Sequence, residues 1–220
     1  MWIRYRVRWD FLTQLCGSVP ADPEIVKAWL DARKPRVRPP GGKSIDEINE
    51  EVLATLAAGD ELSDADSNIL TFQRHEGGCV QRAATVKAHL KDCARVLSNQ
   101  YIGRIEKERA FSTRVINGVY HDPAVYWIPI LRPDGTPVEK HDGERDKAIH
   151  VRGMAALKRF EWIQPARMDF TLLVLTAIGN KPSVSEEDLG TLMEYGGVHG
   201  YGGERSDGEG RYTFTITKEA

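Results

Sequence analysis

Two sets of side chains in this 220-residue chain are spaced to do chemistry, and the first is cationic. A run from Gly196 to Arg211 holds seven glycines in sixteen residues, together with Arg205, Ser206 and Arg211. Glycine tolerates φ > 0 and close backbone approach, so such a run predicts a loop rather than a helix or ordinary strand. Gly200, Gly202, Gly203, Gly208 and Gly210 could turn backbone N–H groups toward an oxyanion. Arg205 and Arg211 would add charge-assisted bonds to phosphate. Upstream, Arg82 precedes Lys87, Lys91 and Arg95, whose four-residue spacing puts three cations in one row on a helix. Lys34, Arg36 and Arg38 recur in a stretch rich in proline and glycine that reads as a mobile basic loop. Together these groups suit a sugar-phosphate backbone. No lysine and serine follow the glycines as nucleotide hydrolysis by a phosphate-binding loop would need.

The second set could bind metal or move protons. His75 precedes Cys79, and His89 precedes Cys93, each by four residues. Zinc accepts such ligands. Cys93 also falls on the apolar seam of its helix, where a small buried residue is expected, so neither metal nor another cofactor is expected. His121, His141, His150 and His199 lie in or near loops and could serve as general acid or base. No Ser-His-Asp or paired-carboxylate arrangement can be read from the spacing.

The elements that must position these groups follow from periodicity. Ile3, Tyr5, Val7 and Trp9 alternate with Arg4, Arg6 and Arg8, which predicts a strand with one buried face. Its arginine face is either solvated or meets phosphates. The strand is expected to continue through Phe11–Cys16 into a turn at Gly17-Ser18. Short strands are expected over Ile69–Phe72 and Val125–Leu131, and Ala148–Val151 could form another, with Lys140–Asp146 a polar connector between them. A new element begins at Phe160–Ile163. Residues 83–97 read as a helix with Val86, Leu90, Cys93 and Leu97 on its seam. Asp169–Ile178 is apolar enough for a central strand. Ser183 or Ser185 can cap a helix that ends at Gly196, and Tyr212–Thr217 alternates as the closing strand. The order predicts an α+β fold, with a ferredoxin-like, RRM-like core, an antiparallel sheet and a helical insertion. One domain spans 1–220, with a loop-rich insertion over 20–66 and a basic connector over 98–118.

The formal net charge of −2 hides a segregation. Residues 44–66 carry −8, whereas 1–43 and 74–114 each carry +5. A basic surface is therefore compatible with a neutral total. Apolar content of 41% supports a core, and no run reaches membrane-spanning length. The start of the chain has no secretory pattern, and three scattered cysteines fit a reducing cytoplasm. No membrane partner is expected.

Three blocks then resemble one family. Val7-Arg8-Trp9-Asp10-Phe11-Leu12-Thr13-Gln14-Leu15-Cys16-Gly17-Ser18 is similar to the opening strand of the RAMP superfamily, with Gln14 where that pattern has proline. Val80–Arg95 is similar to the segment that enters its first core helix, and Leu189–Arg211 to its terminal glycine-rich signature. The resemblance implies a backbone-type subunit of a CRISPR effector ribonucleoprotein that binds guide RNA. Its partners would be copies of itself, other effector subunits and a paired target nucleic acid. It also frames two catalytic alternatives. His199 is the candidate for guide-processing ribonuclease chemistry, and Asp22 is the nearest counterpart of the aspartate used by target-cleaving subunits. A phage or virion structural subunit, or a protein-interaction subunit, is the third alternative.

Overall fold

The computed structural model describes residues 2–20, 69–100, 111–151, 154–176 and 183–219. The expected insertion over 20–66, with Asp22, Lys34, Arg36 and Arg38, lies outside the described residues except for Pro20. Strand β1 spans Trp2–Phe11, and its burial alternates as the sequence dictates, with Tyr5, Val7 and Trp9 inside. Two short strands follow, β2 (Leu15–Cys16) and β3 (Val19–Pro20), so the expected continuous strand breaks after Phe11. Next come β4 (Ile69–Thr71), β5 (Gln73–His75), β6 (Gly78–Arg82) and helix α1 (Ala83–Gln100). Helix α2 (Phe111–Gly118) occupies the end of the basic connector. Strands β7 (Val119–His121), β8 (Trp127–Leu131), β9 (Gly143–Val151), β10 (Met154–Ile163) and β11 (Arg167–Leu175) precede helix α3 (Glu186–His199) and strand β12 (Tyr212–Lys218).

Strand β1 lies between β12 and β11, antiparallel to both, and β11 pairs antiparallel with β7. Joined through α1 and α3, this order is the split βαβ arrangement of a ferredoxin-like core. Strands β8, β6 and β5 extend the sheet at the β11 side. The apolar stretch predicted to be central is β11, whose residues alternate between buried and half-buried. A second sheet runs β2-β10-β4-β3, with β9 paired to β10. The expected polar connector over 140–146 is therefore strand from Gly143 onward.

Helices α1 and α3 bury Val86, Leu90, Cys93, Leu97, Leu189, Leu192 and Met193 against Tyr5, Val7, Trp9, Met168, Leu172 and Val174. Ser185 caps α3 with a reciprocal box through Asp188. The helix runs past Gly196 to His199 and ends at Gly200, φ 84°. A Cβ at Gly196 would sit 2.4 Å from the Tyr212 hydroxyl, so this glycine serves close packing on β12 rather than termination.

The opposite sheet face carries Arg4, Arg6 and Arg8, with carboxylates placed between them. Arg4 bonds Asp122 at 2.8 Å and Glu219 at 3.0 Å, and Arg8 bonds Asp169 at 3.1 Å. Glu219 also accepts from Arg6, and Asp169 from Arg167. This lattice supports the solvated reading of the arginines and leaves little free charge for phosphates.

Candidate nucleic-acid interface

The three resembling blocks, far apart in sequence, meet at one cleft of about 310 Å³. Ser18 comes from the segment after β2, and Gln81 from β6. Thr85, His89, Lys91, Asp92 and Arg95 come from α1, and Tyr201, Gly202 and Arg205 from the glycine loop. Helical spacing explains the α1 contribution, because residues three and four apart share a face.

The floor is aromatic and neutral. Tyr201 and His89 line it and meet Trp9 edge-on, and in the core beneath Trp9 stacks on Tyr212 with centroids 4.3 Å apart. The Thr85 hydroxyl donates to the Arg82 carbonyl, so it accepts from the Tyr201 hydroxyl, which ties the loop to α1. His89 Nε2 lies 3.0 Å from the Tyr212 hydroxyl. Burial, aided by Arg205 and His199, pushes the His89 imidazole down to about 3. Burial pushes the Cys93 thiol up to about 12. His89 and Cys93 are thus neutral core neighbours. Cys79 packs under Arg74 near the second sheet, and its buried thiol is pushed up to about 11.

The rim is charged. Lys91 and Arg95 enter from α1, and Arg205 from the loop, opposed by Asp92 alone among the described charged residues lining the cleft. Arg205 lies 3.7 Å from Asp92 and 3.3 Å from His199 Nε2. A guanidinium has only donors, so that nitrogen accepts. Burial and then Arg205 hold His199 below the ordinary histidine range, and its ring stacks on Tyr195 and His89.

The glycine loop is held by its own backbone. Gly200 N–H donates to Gly196, Tyr201 to Gly210, Gly203 to Cys16, Gly208 to Arg205, and Gly210 to Gln14. These donors do not form an anion nest, contrary to the expectation from the glycine pattern. The glycines permit close packing instead. A Cβ at Gly203 would lie 2.4 Å from the Gly17 carbonyl oxygen.

The loop's acids are held by cations that the sequence pattern does not single out. Glu204 is paired with Lys147 at 2.8 Å and with Lys158, and Asp207 with Lys147 at 2.6 Å. Glu209 accepts from Arg145 at 3.2 Å and from the Gln14 N–H at 3.1 Å. Proline at position 14 would remove that last donor. Gln14→Pro is expected to cost roughly 1.5–3 kcal/mol in a urea melt, the usual range for a bond to a charged group.

Neither a protein-family pattern nor a curated protein matches this chain. Among solved structures, it is similar to a chain in the cryo-EM structure of the Type III-B Cmr-beta bound to cognate target RNA. Identity is 10%, the TM-score is 0.50, and the match covers 100% of this chain and 62% of that one. The likeness is one of fold. This chain spans less than two thirds of that chain's length.

The remaining expected contacts do not line the cleft. The Lys87 ammonium lies over the Tyr120 ring, 3.2 Å from its centroid. Desolvation, then Lys91, brings it down to about 8. Arg82 lies over Tyr126 at 5.4 Å. Arg211 is exposed and packs beside Gly208, while its backbone bonds Leu12 and Thr13. Among the described residues, no three His, Cys, Asp or Glu side chains cluster as a metal site. No described helix is long and apolar enough to cross a membrane.

The Glu204 pairing gives a pH prediction. Burial pushes its carboxyl up, but Lys147 and Lys158 more than offset this, so it titrates below the ordinary range. A depressed folded pKa gives stability that is present above the unfolded value and lost as pH falls through the folded one. Glu204→Gln is therefore expected to be less stable by roughly 1–3 kcal/mol near pH 7. The gap should close in urea melts as pH drops below the unfolded glutamate value. A gap that is constant with pH would contradict the pairing.

Proposed function

We propose that this chain is a guide-RNA-binding backbone subunit of RAMP type in a CRISPR effector ribonucleoprotein. The observation that carries the reading is the convergence of Ser18, α1 and the glycine loop on one basic-rimmed cleft over an aromatic floor. The fold likeness to a chain from an RNA-bound complex supports it. Lys91, Arg95 and Arg205 hold phosphates and read no sequence, while base pairing supplies specificity. Successive copies follow one another along the guide and, with other effector subunits, present it to a target nucleic acid. The function is one of binding; His199 is engaged by Arg205 and the ring stack.

The test is anisotropy of labelled single-stranded RNA against salt, with the A260/A280 ratio of the purified protein as a check. Affinity is expected to fall steeply as salt rises, because neutralised phosphates release counterions. Salt-independent binding, or none, would sink the reading and favour the structural or protein-interaction alternative. Cleavage of that RNA in EDTA, abolished by His199→Ala, would select the endoribonuclease instead.

A further inference from the structure

A second groove, of about 920 Å³, lies away from the cleft at the sheet edge formed by β5 and β6. Its walls are aromatic and prolyl: Tyr126, Trp127, Pro129 and Pro137, with His75. Trp127 meets Tyr126 edge-on at 4.7 Å and stacks with His75 at 5.7 Å. Among the described residues, the carboxylates on the groove are Glu76, whose side chain is 87% exposed, and Glu139. The nearby Arg74 is turned inward to Glu161, and Arg82 lies over Tyr126. An aromatic slot with an acidic rim does not suit phosphates. It suits an extended, proline-rich, cationic peptide, because the polyproline helix has little conformational entropy left to lose and packs its rings on aromatic faces.

This chain carries such a sequence. Residues 33–43 contain Pro35, Pro39 and Pro40 with five cations and no acid. We propose that the groove docks this segment from a second copy. The inference rests on the proposed assembly along RNA, which needs a head-to-tail contact in which one surface of a copy meets a different surface of the next. The cationic sequence of the segment then complements the acidic rim of the neighbour's groove rather than phosphate.

A labelled peptide of sequence 33–43 is titrated onto the full chain. Saturable binding is expected, weakened roughly tenfold or more by Trp127→Ala, as for an aromatic anchor at an interface. The surface variant Glu76→Lys/Glu139→Lys, which leaves the core untouched, should weaken it similarly. That variant should also lose self-association on a long RNA while binding a short RNA at least as tightly, since it gains positive charge. Absence of peptide binding, or binding indifferent to both variants, overturns the proposal. Peptide binding abolished with self-association intact means the segment occupies its own chain's groove, and also overturns it. Loss of short-RNA affinity in Trp127→Ala would make the groove a nucleic-acid surface and overturn it too. Failure of the guide-binding reading shows separately, as absent short-RNA binding by the unmodified chain.

Discussion

Gly210→Ala is expected to destabilise the protein by at least about 3 kcal/mol, more than the same change at the loop's other glycines. Two costs add. Gly210 has φ +71°, where an L side chain is strained by roughly 1–2 kcal/mol. The added Cβ would also lie 1.9 Å from the Tyr201 carbonyl oxygen, far inside van der Waals distance. That oxygen belongs to backbone and cannot rotate away as a side chain could. The Tyr201 N–H donates to the Gly210 carbonyl at 2.9 Å, and the Gly210 N–H donates to Gln14 at 2.9 Å. Relief of the clash therefore breaks bonds that hold the loop to the segment after β1. Gly77→Ala is the control, because Gly77 has φ +80° with nothing within 4 Å of the new Cβ. It bears the strain alone. Urea melts should show a much lower midpoint for Gly210→Ala than for Gly77→Ala at an unchanged m-value. Equal midpoints would mean that the loop is not packed as described.

Much of this site is legible in the sequence because it depends on local rules. The β1 alternation, the α1 seam and the Ser185 cap each follow from spacing within a few residues, and the structure has all three. The convergence of Ser18, Lys91 and Arg205 is not legible in it, since no local rule brings 18 beside 205. What the sequence hides depends on partners distant along the chain. The glycine pattern suggests an anion nest because it shows no partners for the N–H groups, yet Cys16 and Gln14 accept from them across nearly two hundred residues. Lys147 and Lys158 sit in mixed-charge stretches that carry no mark of a role. On the strand pair β9–β10 they stand in register, 147 opposite 158, and so share Glu204. Lys87 shows the same limit. Helical spacing gives its row correctly, but not Tyr120, which draws it away from Lys91 and Arg95.

Charge reversal at Lys91 and Arg95 is the second large expected effect. Both line the cleft, and Arg95 is exposed, so Lys91→Glu/Arg95→Glu should fold with a near-normal melting temperature. RNA affinity at low salt is expected to fall about a hundredfold or more, since two favourable phosphate interactions become repulsive. The log–log salt slope should flatten by about 1.4, at about 0.7 for each single-strand phosphate that is no longer neutralised. A diffuse effect of net charge is the competing explanation, so the decisive control carries the same change elsewhere. Arg6→Glu/Arg8→Glu alters charge equally on the sheet face, where Glu219 and Asp169 already partner these arginines. That variant should lose little affinity and keep its salt slope. Lys87→Ala should likewise lose little, because its ammonium is engaged with Tyr120. Equal losses from the cleft and sheet-face pairs would reduce the interaction to a diffuse field. A loss confined to Lys91 and Arg95 places phosphates where α1 and the glycine loop meet, and ties the glycines to function through the position they give Arg205.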